Sequence, residues 1–352
     1  PRNLASRSKT PSDRFRHPTS REHPGIRSRC SNSPSIQSLT SFSHLMSVLV
    51  AGSVGIDHIK TPHDEAPNLL GGSASYAATS ASFSSPVHLV SIVGQDFPDE
   101  HVAFFKSRNI SVDGVEFAQG KTFRWTGEYS EDWNDRETLE VDLNVLEHYN
   151  PQLTEEYRDS RIILLANAGP DTQLKVLEQA NAPVFSIADT MDLWITVMRE
   201  QLNELLGKID MLVLNDSEAK QLTETSNLVL AGEKMLEMGP KFVILKKGEH
   251  GALLFSQTGD FFTIGAYPLK NVHDPTGAGD TFVGGIAGHL ASTGKDEIGF
   301  DDLAEGILHG TIMASYTCEQ FGLRSLEAIT EEQLNARKDE FRRYCRIAHP
   351  GG

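Results

Sequence analysis

The chain has 352 residues, 39% of them hydrophobic, and a formal net charge of −16. That length holds one large α/β domain with a small appendage, or two domains. So acidic a chain is a poor partner for nucleic acid or an anionic membrane, and no apolar run approaches the ~20 residues a membrane-spanning helix needs. Cys30, Cys318 and Cys345 have neither metal-ligand spacing nor a paired framework, and a reduced cytosol suits them. A cytoplasmic protein is expected.

Residues 1–45 are basic and rich in Ser and Pro, with eight Lys or Arg against only Asp13 and Glu22. With so few apolar side chains they cannot offset their chain entropy by burial, so disorder is expected. The composition suits a transit peptide, but the amphipathic periodicity is missing. We read this tail as dispensable sequence ahead of Met46, the first methionine, where a strand begins at once.

From Met46 to about residue 345 short apolar runs alternate with helical patterns. Runs at 47–53, 87–94, 161–167, 183–189, 211–215 and 242–246 read as strands buried on both faces. Helices are predicted over 72–83, which is rich in small residues, and over 99–109, 172–181 and 227–238. The alternation predicts a three-layer, doubly wound, mostly parallel sheet. Residues 115–147 break the rhythm with two polar-apolar alternating runs around "EDWNDR", so an antiparallel lid or a surface hairpin is expected there. Residues 346–352 read as a tail.

Several motifs are missing. There is no G-x-x-x-x-G-K-[ST], no G-x-G-x-x-G after a strand, no HExxH and no G-x-S-x-G. The missing glycine fingerprint removes a doubly wound dehydrogenase. What remains is "NVHDPTGAGDTFVGGIAGHL", residues 271–290. Gly277, Ala278 and Gly279 have little or no side chain, so their amides can approach an anion at the start of the apolar helix that follows. Asp280 in the same turn can take a proton from an attacking hydroxyl. It can equally do no more than complement the helix dipole.

The string "DPTGAGDTFVGG" resembles the C-terminal motif of the ribokinase-like (PfkB) carbohydrate kinase family. Three further stretches agree with that family in order: "LLGGSASYAA" (69–78), "LNDSEA" (214–219) and "ILKKGEHGALLF" (244–255). The resemblance spans roughly residues 46–325. It implies an enzyme that uses ATP and Mg²⁺ to phosphorylate a hydroxyl of a small molecule. Asp280 would be its general base, with Gly277, Ala278 and Gly279 as the anion hole. Asp274 would lie where some members bind a monovalent cation such as K⁺, or would cap its turn. Asn215 and Glu218 would organise Mg²⁺ and its waters, though their spacing also permits a plain helix N-cap.

On the acceptor side the resemblance puts Asp57 at the end of the first strand, where a carboxylate accepts from substrate hydroxyls. Gly71 and Gly72 would let the substrate lie against backbone. Tyr76 departs from the family, which often has Asn there, so the sugar cannot be inherited from ribokinase. On the nucleotide side Lys246 and Gly248 match positions near ATP phosphate or ribose, and Thr311 a position beside adenine. Lys246 is also readable as a solvated strand end. The acceptor is expected to be a sugar or sugar-like alcohol, with a nucleoside as the alternative. Phe123, Trp125 and Tyr129 alternate on one face of the lid, to cover the acceptor or to meet a second subunit's lid in a homodimer. A non-catalytic nucleotide or sugar sensor is the reading from another class; it would be favoured by loss of Asp280, the glycines or Glu218, and all are present.

Overall fold

The computed structural model describes residues 47–130, 133 and 136–346. The readings made for the basic tail, Met46 and residues 347–352 lie outside these. In chain order the first elements are β1 (Val48–Ala51), β2 (Gly55–Lys60), β3 (Glu65–Gly71), α1 (Ser73–Ala81), β4 (Val87–Gly94), α2 (Asp99–Ser107) and β5 (Ile110–Ala118). Then come β6 (Phe123–Tyr129), β7 (Arg136–Asp142), α3 (Glu155–Arg158), β8 (Ile162–Leu165), α4 (Pro170–Gln179), β9 (Phe185–Asp189), α5 (Asp192–Val197) and α6 (Arg199–Leu206). They are followed by β10 (Met211–Asn215), α7 (Asp216–Thr223), α8 (Leu228–Glu237), β11 (Phe242–Lys246), β12 (Ala252–Ser256) and β13 (Phe261–Ile264). The chain closes with α9 (Ala278–Ser292), α10 (Phe300–Thr317), α11 (Arg324–Ala328) and α12 (Glu331–Tyr344).

The large sheet has the order β13-β12-β11-β10-β9-β8-β1-β4-β5. It is parallel from β11 to β5, and β12 and β13 add an antiparallel edge. Its continuous apolar strands are explained by two cores, one on each face. Val48 and Val50 of β1 enter one core while Leu49 and Ala51 enter the other. Strand order reverses at β1 and β8, and sites of doubly wound sheets form beyond the carboxyl ends at such a point.

The small residues of α1 have a packing reason. An added Cβ at Gly284 of α9 would lie 2.2 Å from the Ala77 carbonyl oxygen, and one at Gly288 2.5 Å from that of Ala81. The two helices touch backbone to backbone, which fixes where α9 begins relative to α1.

The second sheet has the order β3-β2-β6-β7. The lid is therefore twice as wide as the two alternating runs suggest, because β2 and β3 belong to it. Residues 115–118, assigned to the lid from sequence, instead continue β5 at the edge of the large sheet. Asp57 is also moved: β1 stops at Ala51, and Asp57 is the third residue of lid strand β2. Among the described residues no helix is long and apolar enough to cross a membrane.

Candidate active site

The carboxyl ends of β9, β10 and β11, the first turn of α9 and the inner face of the lid meet in one place. Asp57, Tyr76, Asp274 and Asp280 lie close enough for their charges to act on one another. Asp189, Glu218 and Lys246 form a second group that reaches Asp280.

The acceptor-side group is built around Asp57. Its carboxyl rests on Gly71, where a Cβ would lie 2.0 Å from Cγ, so no other residue fits there without displacing the acid. The amide of Gly72 donates to the same carboxyl. Burial, then the Asp274 charge, push Asp57 up to about 8, against that amide. Tyr76 lies beside it, 1% exposed. The Tyr76 ring covers Gly277, where an added Cβ would approach ring carbons to 2.3 Å. Among the described residues its hydroxyl has no hydrogen-bond partner. Burial, then the neighbouring Asp57, hold the phenol well above its ordinary pKa, so it keeps its proton. Asp274 is fully buried and accepts from the amide of Thr276 at 2.9 Å and of Gly322 at 3.0 Å. It ties the turn before α9 to the turn after α10, the capping role that the sequence left open.

The first turn of α9 holds the residues expected to bind an anion. Gly277 is its N-cap at φ +73°, a left-handed conformation that glycine adopts without strain. The Ala278 amide donates back to the Pro275 carbonyl at 3.1 Å. The anion hole expected from all three residues is thereby reduced to the amides of Gly277 and Gly279. An added Cβ at Gly279 would be 3.2 Å from Lys246 Nζ, which places that ammonium beside the turn. Burial, then the Asp189 charge, push the Asp280 carboxyl up to about 7, with Lys246 and Arg136 opposing.

Lys246 is not a solvated strand end. Its side chain is largely buried and its ammonium pairs with Asp189 Oδ2 at 2.9 Å. Burial alone would lower its pKa; Asp189, Glu218 and Asp280 outweigh it and keep the charge on. Asn215 and Glu218 form a complete capping box on α7: Asn215 Oδ1 accepts from the Glu218 amide, and Glu218 Oε2 accepts from the Asn215 amide, both at 2.8 Å. Only the other carboxylate oxygen of Glu218 is left for a metal or its water. Burial raises this carboxyl to about 7, Lys246 opposing and Asp189 reinforcing.

The lid meets the acceptor-side group and reaches Asp280. In the register of β2 with β6, Asp57 faces Trp125 and Ile59 faces Gly127. Trp125 and Tyr129 therefore turn inward with Asp57, and they pack with Ile59, Leu69 and Phe321. Phe321 is the body's contribution to this cluster, and Trp125 stays partly exposed. Thr276, within the α9 turn, donates its hydroxyl to the Tyr129 hydroxyl at 3.1 Å. Arg136 on β7 lies 5.2 Å over the Trp125 ring, and its charge acts on both Asp57 and Asp280.

These carboxyls make stability depend on pH. Asp57, Asp280 and Glu218 hold protons up to about 8, 7 and 7, whereas their unperturbed values are 3.8, 3.8 and 4.5. The folded chain binds more protons than the unfolded one between those limits, so stability falls as pH rises through them. His309, lowered to about 3 by burial, acts oppositely, but only below its ordinary value of 6.5. Between pH 6.5 and about 8 the unfolding midpoint of the ligand-free protein is expected to fall steadily, and a thermal melt series will show it. Asp57→Asn should flatten the upper part of that slope.

Among the sequence-derived residues, Asp57, Gly71, Gly72, Tyr76, Asp274, Gly277, Gly279, Asp280, Glu218 and Lys246 converge. Gly248 begins the short turn after β11, and the Thr311 hydroxyl donates within its own helix to the Ile307 carbonyl at 2.8 Å. Among the described residues neither is a leading hydrogen-bond or charge partner of the acids and lysine of the cluster. Sequence reasoning missed Asp189 and Arg136, and it gave Tyr129 a place on the lid without its tie to Thr276. Asp189 carried one signal, a lone acid ending an apolar strand where doubly wound sheets place their sites.

Comparison with known proteins places the chain in a family. Residues 46–329 match the pfkB family of carbohydrate kinases. A protein of Thermococcus kodakarensis named cytidine kinase is 29% identical over 251 residues, 70% of this chain and 89% of the relative. The crystal structure of the Methanocaldococcus jannaschii nucleoside kinase, described as an archaeal member of the ribokinase family, superposes with a TM-score of 0.67 at 20% identity, covering 84% of this chain and 98% of that one. A ribokinase II candidate from E. coli, solved with ATP and Mg²⁺, gives a TM-score of 0.67 at 18% identity over 84% of this chain and 99% of its own. At such identities the two structures share the fold. The match over residues 46–329 decides the family: the chain belongs to the pfkB family of carbohydrate kinases.

Proposed function

We propose that this small-molecule kinase moves the γ-phosphoryl group of ATP onto a hydroxyl of a ribosyl compound, with Asp280 as the general base. The observation that carries the reading is Asp280 itself, a raised carboxyl in the first turn of α9, with Lys246 beside the same turn and the acceptor group of Asp57 and Tyr76 within electrostatic reach. A base poised near neutral pH accepts a proton efficiently there.

The acceptor's hydroxyls lie on Asp57, whose own carboxyl fills the space over Gly71 where the substrate was expected to rest. A buried hydroxyl without a partner costs free energy, and the Tyr76 phenol points to a donor kept for an acceptor oxygen. The amides of Gly277 and Gly279 and the Lys246 ammonium face the transferring group, where stabilising charge acts most strongly. Tyr129, tied to Thr276, holds the lid down and excludes water, the competing acceptor.

The residues present fit a divalent cation. Asp189 lies beside Lys246, and Glu218 and Asp280 add negative charge there as they ionise near pH 7, so a polyphosphate would call for a cation. Glu218, with one carboxylate oxygen outside the capping box, would be the residue to hold Mg²⁺ through its waters. Mg²⁺ supplies charge neutralisation at the phosphates.

A nucleoside is favoured over a free sugar, because the relative named cytidine kinase aligns along 89% of its own length. The test is ADP release from ATP and Mg²⁺ with a panel of pentoses, hexoses and ribonucleosides, cytidine first. Acceptor-dependent release with at least one compound is expected; release no faster than without acceptor, across the panel, would sink the reading.

A further inference from the structure

Asp189 is a buried acid that the mechanism above uses only through its charge on Asp280. It ends β9, is 5% exposed, and is fixed from three sides. Its Oδ1 accepts from the Thr190 amide at 2.9 Å. Its carbonyl accepts from Gln173 Nε2 at 2.9 Å, and the same amide reaches the carbonyls of Leu165 and Ala166 at the end of β8. Its Oδ2 accepts from Lys246 Nζ at 2.9 Å. Lys246 in turn lies beside Gly279, in the turn that carries Asp280.

A lysine has a flexible four-carbon arm and a charge without directional preference, so its placement depends on what holds it. Here the holder is a buried acid, pinned to the carboxyl ends of two central strands. We propose that Asp189 is a positioning residue that aims the Lys246 ammonium at the first turn of α9, where it meets the phosphoryl group in transfer. The inference rests on the kinase reading for the identity of that group. Its alternative is electrostatic: Asp189 is one more negative charge near the phosphates, and removing it helps an anion to bind.

The two accounts differ in sign. Under positioning, Asp189→Asn lowers kcat about 10²-fold and weakens binding of a non-hydrolysable ATP analogue with Mg²⁺, while the acceptor KM stays within about two-fold. Under simple charge removal, the analogue binds more tightly and kcat is kept. A cycle with Lys246→Met fixes the route of action. If Asp189 works through Lys246, the double variant is no slower and binds no more weakly than Lys246→Met alone. Effects that multiply, or tighter analogue binding by Asp189→Asn, overturn the proposal. Calorimetric binding of the analogue decides it even if the wild-type protein turns over no acceptor in the panel, an outcome that would instead defeat the kinase reading. Should Asp189→Asn not fold, Asp189→Glu shifts the same charge by one methylene; the proposal requires a lowered kcat there too, and wild-type kcat overturns it.

Discussion

Asp280→Asn is expected to cut acceptor phosphorylation by about 10³-fold or more, within the range a general base contributes. That is roughly 4 kcal/mol of transition-state stabilisation. Asparagine keeps the shape and hydrogen-bonding reach of the side chain, so the fold and nucleotide binding should be kept. What it loses is the capacity to take the proton. The pH profile gives a second reading from the same residue. Burial and Asp189 raise Asp280 to about 7, so in the wild type kcat/KM should fall as pH drops below that value and the base becomes protonated. Activity then rises with pH over the range in which ligand-free stability declines. A base left at its ordinary value of 3.8 would give a flat profile there. Steady-state kinetics across pH 5.5 to 8.5 separate the two.

Gly277→Ala is expected to be nearly as damaging, through structure first. At φ +73° a Cβ carries a left-handed strain of about 1–2 kcal/mol. That Cβ also falls 2.3 Å from the Tyr76 ring, and relieving such overpacking costs about 1–3 kcal/mol more. Together they amount to roughly 2–5 kcal/mol, a fall in melting temperature on the order of 5–15 °C. The Tyr76 ring cannot yield freely, because it is buried between Gly277 and Asp57. The clash therefore displaces the Gly277 amide from the anion hole, and loss of one such donor costs about 10²-fold in kcat. Melting and kcat should fall together. A variant that melts like the wild type and turns over normally would show that the turn tolerates a side chain and that Tyr76 does not constrain it.

The resemblance and the strand pattern carried far because both rest on local order. Parallel strands buried on two faces leave uninterrupted apolar runs, so 87–94, 211–215 and 242–246 matched β4, β10 and β11 to the residue. The lid was only half legible. β6 and β7 alternate cleanly, whereas β3 mixes exposed and buried positions around Pro67 and Asn68, and β2 pairs with it through a bulge between Asp57 and Ile59. Neither shows a steady period of two.

The site divides in the same way. Residues within one motif, such as Gly277 to Asp280 or Asn215 and Glu218, were visible as spacing. Asp189 and Lys246 are 57 positions apart and meet only because β9 and β11 flank β10. Arg136 reaches Asp57 and Asp280 only once the lid has folded onto the body. Capping and metal binding by Asn215 and Glu218 also look alike in sequence, since both need an oxygen-bearing side chain at each end of one helical turn. The structure displays the cap in full and leaves one carboxylate oxygen over.

The central claim is that a phosphoryl group passes from ATP to an alcohol at Asp280. Incubating the wild-type protein with Mg²⁺, a nucleoside acceptor and ATP carrying heavy oxygen in its γ-phosphate, then weighing the products by mass spectrometry, tests it most directly. The account predicts a monophosphorylated acceptor that carries the labelled oxygens, formed in step with ADP and lost in Asp280→Asn. Label found only in inorganic phosphate, or equal transfer by Asp280→Asn, would contradict it.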